Sequence, residues 1–306
     1  MEARPWNKGP HRAVATSGIR EERLPLRGPP LEIAARLGFG ARGLVYCLIG
    51  GLALLAAFGA GGGTGGSRTA LRSLMSQPFG WILLGLMAVG LLFFAAWQAL
   101  AAIPDADRRG TSAKGLAIRS GQGLGAVIHA GLAISALGLA FGFGTGGGQE
   151  DQAARDWTAW LMAKPFGQWL VGLVGLSVAG TGLVWLWKAW RGDVLDRLAL
   201  PADAGRWVLP MGRLGFAARG VVFVIIGGFV IGAAIHSNSR EVEGLGGALE
   251  ALQGQPYGWA LLAVTAAGLF AFGMFGLVQA RYRRIDVPDA GDASRTMARG
   301  VEALRR

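Results

Sequence analysis

The chain has 306 residues, of which 52% are apolar, 16% are charged and 52 are glycine. That length suits two soluble domains, but soluble domains carry about a quarter charged residues and solvated helix faces. Six stretches of roughly 20 residues contain no Asp or Glu, which excludes that class and predicts an all-α integral membrane protein.

The net charge of +11 has a membrane explanation. With spans at 38–60, 80–102, 122–143, 168–190, 215–236 and 258–280, the tails and the second and fourth loops hold 23 Lys and Arg. The first, third and fifth loops hold five. This asymmetry predicts that both termini are cytoplasmic. No aromatic-interleaved basic patch accompanies the charge, so nucleic acid is not an expected partner. Membrane lipids are, anionic ones above all, together with a protein partner or self-association. Arginine outnumbers lysine 26 to 4, a bias of GC-rich genomes that points to a bacterial inner membrane.

Residues 1–35 read as a polar cytoplasmic tail without order. Arg36-Leu37-Gly38 opens the first span, and Arg42 follows six residues on. Cys47, the single cysteine, lies within the apolar run, so neither a disulfide nor a thiolate metal site is expected. Beyond the glycines at 61–63, Leu71, Leu74 and Met75 recur at i, i+3 and i+4, the pattern of a short amphipathic helix in the outer interface. Pro78-Phe79-Gly80-Trp81 then begins a returning span, with proline where a missing N–H is harmless and Trp81 in the aromatic belt.

The same series occurs twice more. Arg119-Ser120-Gly121 opens a span carrying His129, Trp157, Trp160 and Leu161 outline the outer helix, and Pro165-Phe166-Gly167 with Trp169 starts the return. Arg213-Leu214-Gly215-Phe216-Ala217-Ala218-Arg219-Gly220 opens the third copy, followed by Leu249, Leu252 and Pro256-Tyr257-Gly258-Trp259. The opening arginine precedes the proline by 42, 46 and 43 residues. The repeats are 36–103, 119–191 and 213–285, and 286–306 is a basic tail whose Met297, Val301 and Leu304 outline a surface-seeking helix. Because the motif of the first span returns internally, that span reads as a membrane helix and not as a leader.

These tandem units, with their Arg-x-Gly opening, inner Ala-Arg-Gly and Pro-Phe-Gly-Trp element, resemble the bacterial membrane family known as domain of unknown function 1206. The resemblance implies the repeat fold and brings no catalytic residues. The middle copy departs from it, with Gly125 in place of Arg42 and Arg219 and Gln122 in place of phenylalanine.

Each repeat crosses the bilayer twice, which predicts three parallel helical hairpins about a pseudo-threefold axis along the membrane normal. Helix contact is expected at the small-xxx-small pairs Gly121/Gly125, Gly138/Gly142 and Gly228/Gly232, and on the thin face of Gly172, Gly175 and Gly180. Trp97, Trp185, Trp187 and Trp190 read as the inner aromatic belt.

Arg42 and Arg219 have two readings, as anchors that snorkel to the headgroups or as halves of two-arginine forks, Arg36 with Arg42 and Arg213 with Arg219, that bind a lipid or solute phosphate. His129 reads as an intramembrane polar group bonded to a neighbouring hydroxyl or carbonyl. No catalytic motif or ligand cluster occurs in a supporting context, so neither an enzyme nor a cofactor or metal is expected. The leading expectation is a scaffold or accessory protein binding anionic lipid or a partner at its basic face. The alternative is a channel or facilitator for a small or anionic solute along the axis.

Overall fold

The structure is a computed structural model and describes residues 30–103, 110, 112–143, 150–201 and 203–284. Most of the N-terminal tail, the glycines at 146–148 and the tail element at Met297, Val301 and Leu304 lie outside the described residues. The helices are α1 (Pro30–Ala57), α2 (Ser67–Met75), α3 (Gly80–Ala102), α4 (Ala113–Ala140), α5 (Glu150–Met162), α6 (Gly167–Arg191), α7 (Gly205–His236), α8 (Leu245–Gln253) and α9 (Gly258–Tyr282). A 3-10 turn, Ser239–Glu241, follows α7. Helices α1, α3, α4, α6, α7 and α9 are long and apolar enough to cross a membrane. The protein is a multi-pass membrane protein.

Short helices stand where the amphipathic spacing predicts them, but they do more than lie flat. Leu71 and Leu249 are wholly buried and join one core with Val45 and Ile49 of α1, Leu84 and Leu91 of α3, and Leu262 and Leu269 of α9. Thus α2 and α8 dock into the bundle. Helix α5 leaves Trp157 and Trp160 exposed. It is fastened through Arg155, whose Nε donates to the Val242 carbonyl at 3.0 Å and whose Nη2 pairs with Glu243.

The Pro-aromatic-Gly element differs from the expected proline start. Each returning helix begins at the glycine, two residues after the proline, and the aromatic residue between them is its N-cap in a left-handed conformation: Phe79 at φ 60°, Phe166 at φ 59° and Tyr257 at φ 58°. The glycine is obligatory because the turn folds back onto the short helix. A Cβ at Gly80 would stand 2.7 Å from the Met75 carbonyl oxygen and 2.8 Å from its Cα. Gly80→Ala is therefore expected to lower thermal stability by about 1–3 kcal/mol. Phe79→Gly, which removes left-handed strain of roughly 1 kcal/mol, should be neutral or stabilising in the same melt. Equal losses for both would contradict this account.

Helices adjacent in the chain pack in series, α1 on α3, α3 on α4, α6 on α7 and α7 on α9, and α9 returns to α1. Helices α4 and α6 break the series, sharing no packed face among the described residues. The contacts rest largely on glycines other than those expected. Gly121, Gly228 and Gly142 face open space, whereas a Cβ at Gly43 would stand 2.7 Å from the Gly273 carbonyl oxygen, and one at Gly182 2.7 Å from that of Gly220. Of the expected α6 face, Gly175 does lie against Gly227 and Ile231 of α7, while Gly180 is open. Without a hydrophobic drive between helices in lipid, such backbone approaches supply the van der Waals attraction.

Three arginines tie successive helix pairs together. Arg36 donates to the carbonyls of Ala280 at 3.0 Å and of Arg281 at the end of α9, and its guanidinium pairs with Glu32 at 2.7 Å. Arg119 donates to Ala102 at 2.8 Å and Ile103 at 2.7 Å at the end of α3. Arg213 donates to Ala189 at 2.8 Å and Trp190 at 2.9 Å at the end of α6. A helix C-terminus presents unpaired carbonyls and partial negative charge, and each opening arginine satisfies both.

Candidate anion site between the spans

With Arg36 and Arg213 committed to helix ends, the two forks expected within α1 and α7 do not form. Arg42 and Arg219 turn inward and share a ring instead. The Arg42 guanidinium lies 5.2 Å and that of Arg219 4.7 Å from the Phe272 ring centroid. Arg42 also sits over Phe94 at 4.8 Å and Phe39 at 5.4 Å. Arg219 sits over Trp185 at 4.1 Å, Tyr46 at 5.2 Å and Phe223 at 5.3 Å. Neither points out to the headgroups as a snorkelling side chain would.

The position follows from helix geometry. Arg42 and Arg219 each stand six residues, about 9 Å of helix, inside the capping arginine of the same span. Close helix approach at the neighbouring Gly43 and Gly220 keeps both side chains between helices. The rings are held edge to face, Tyr46 on Phe272 at 4.9 Å and Phe216 on Phe272 at 5.5 Å.

Electrostatically the cluster is incomplete. Arg42 Nη2 donates to Gln279 Oε1 at 2.7 Å. Arg219 is held by rings alone among the described residues, and the Nε atoms of both arginines are buried without a hydrogen-bond partner. The guanidiniums are near enough to repel. The described spans offer one carboxylate, Glu32 of α1, and it is paired with Arg36. Cation–π contacts contribute about 0.5–2 kcal/mol each and leave the charge unneutralised. Both arginines retain part of their surface accessible. Two planar donors converging without an acceptor can bind an oxyanion bidentately.

His129 borders the cluster from α4. Its Nδ1 lies 2.7 Å from the Gly125 carbonyl oxygen and 3.1 Å from the Gln98 amide, and its ring stands edge-on to Phe94 at 4.7 Å. A carbonyl only accepts, so Nδ1 carries the proton and Nε2 is the ring's acceptor. No group of three or more potential metal ligands occurs among the described residues.

Several participants were not singled out from the sequence. Phe94, Phe272, Gln98 and Gln279 lie in nearly uniform apolar runs, and Trp185 had been assigned to the belt. Trp97 is also no belt residue, being 3% exposed among Ala35, Phe39 and Phe94. Trp187 and Trp190 are exposed, as are Trp81, Trp169 and Trp259 beyond Pro78, Pro165 and Pro256. The available signal was repeat equivalence, since residues at matching positions of three like helices turn toward one centre.

The family model described as Domain of Unknown Function (DUF1206) matches residues 37–105, 120–192 and 214–283. The "Uncharacterized protein YxxB" of Bacillus subtilis (strain 168) is 34% identical over 264 residues, covering 84% of this chain and 93% of its own length. No solved structure matches. Each matched segment takes in one pair of long helices, α1 with α3, α4 with α6 and α7 with α9, and the chain belongs to the family of domain of unknown function 1206.

Proposed function

We propose that this is a non-enzymatic membrane protein that binds the phosphate of an anionic lipid at Arg42 and Arg219. The observation that carries this reading is two guanidiniums over one ring, Phe272, with no carboxylate opposite them. An ionisable group within a membrane span is costly and marks a ligand or ion path by default. The three parallel hairpins are part of the proposal, supported by the three family segments and the three arginine caps. So are the bacterial inner membrane and the cytoplasmic termini, which put the cluster in the inner half of the bilayer. The scaffold role at the basic face then acquires a specific attachment point.

Native mass spectrometry of the purified protein with phosphatidylglycerol and phosphatidylcholine tests this reading. Anionic lipid should be retained at one shared site and lost on either Arg42→Gln or Arg219→Gln. Two independently lost lipids, or unchanged retention in the double variant, would contradict it. The second reading, a facilitator for a small anion, is favoured by the inward aim of both arginines. A chloride or phosphate flux in proteoliposomes that requires them would establish it.

A further inference from the structure

Resting on that reading, the geometry points to the seam between α4 and α6 as a lateral portal through which a lipid with a phosphomonoester head reaches Arg42 and Arg219. The other two repeats show what a closed pair looks like. In the first, Gly38 of α1 lies against Phe94 of α3, and Gly90 of α3 against Ala41 of α1. In the third, Gly215 lies against Phe272 and Gly268 against Ala218. Counting from the opening arginine and the helix-starting glycine, the matching residues of the middle repeat are Gly121 opposite Thr181 and Leu124 opposite Ser177.

Every one of these contacts is missing. Gly121 meets nothing within 4 Å, Leu124 is 60% exposed, and Ser177 and Thr181 are exposed. The substitutions explain it. Leucine replaces an alanine where two backbones must approach, and threonine replaces the phenylalanine that fills the groove. The seam therefore follows from the sequence of the middle repeat, and it leads to the arginines. Gly125 removes the third arginine from this wall, His129 lies four residues from it on α4, and Trp185, four residues beyond Thr181 on α6, covers Arg219.

The occupant follows from charge and depth. Two guanidiniums match a phosphomonoester, which carries about −1.5 to −2 at neutral pH, better than a singly charged phosphodiester. The pair lies roughly 9 Å inside the capping arginines. A lipid phosphate drawn to that depth must take its chains with it, and a gap flanked by Leu124, Val127 and Ile134 on α4 and by Leu173 and Leu183 on α6, all exposed, receives them.

The test uses the full chain in nanodiscs containing phosphatidic acid with a diazirine midway along one acyl chain. Adducts are expected on α4 and α6 around residues 124–134 and 173–184, competed by unlabelled phosphatidic acid about tenfold better than by phosphatidylglycerol. Rebuilding the closed pattern, with Leu124→Ala, Ser177→Gly and Thr181→Phe together, should cut them by about the same factor. Adducts spread evenly over α3 and α9, equal competition by phosphatidylglycerol, inorganic phosphate competing as well as the lipid, or cross-links across the seam to a second copy would each overturn the portal or its occupant. Adducts that persist in Arg42→Gln with Arg219→Gln would sink the underlying arginine site as well.

Discussion

Gly273→Val should split α1 from α9 and lower the melting temperature more than any other single change considered. A Cβ at Gly273 would stand 2.5 Å from the backbone nitrogen of Cys47 and 2.6 Å from the Gly43 carbonyl oxygen, so the clash is with a facing helix backbone that no rotamer can relieve. The α1 and α9 contact closes the series of helices and supports Phe272 beneath both arginines. Overpacking costs about 1–3 kcal/mol where side chains can move, and here it should exceed about 3 kcal/mol. The control is Gly121→Val. Gly121 begins a strict Gly-xxx-Gly pair and looks the better contact residue by motif, yet it faces open space. Its substitution should shift stability by no more than about 0.5 kcal/mol. Melts in detergent that rank the two variants in the opposite order would refute the packing described above.

Arg42→Gln with Arg219→Gln is expected to stabilise the unliganded protein while abolishing its response to anionic lipid. Two like charges without a carboxylate repel and are poorly solvated. Relieving this should contribute about 1–4 kcal/mol, against lost cation–π contacts of roughly 0.5–2 kcal/mol each. A ligand that binds the folded state alone raises stability by mass action, so the unsubstituted protein should melt higher as phosphatidic acid is added and the double variant should not. Lost charge-assisted hydrogen bonds predict at least a tenfold weaker lipid affinity. If both arginines were structural, the double variant would instead melt lower at every lipid concentration.

Hydropathy made the six spans legible, and spaced motifs made the three units legible, because both are properties of the chain itself. Helix faces were not. In a span that is apolar all round, Gly121 and Gly175 look alike, and the difference lies in the neighbouring helix. Arg42 and Arg219 were found as single residues because a charge in an apolar run is conspicuous. Their meeting over Phe272 spans 177 residues of sequence and depends on Arg36 and Arg213 being occupied elsewhere. Trp185 was missed for a similar reason, since a tryptophan near a span end serves the interface or the interior equally well. In the middle repeat the loss of an arginine at Gly125 was readable, while its companion changes at Leu124 and Thr181 acquired meaning only beside the closed contacts of the other repeats.

The most direct test is an experimental structure of the purified protein in nanodiscs containing phosphatidic acid. It should contain phosphate density bonded to both Arg42 and Arg219 above Phe272, with acyl density leaving between α4 and α6. A structure in which the two guanidiniums turn outward to the headgroups, or in which α4 and α6 are packed shut with no density between the arginines, would contradict the account.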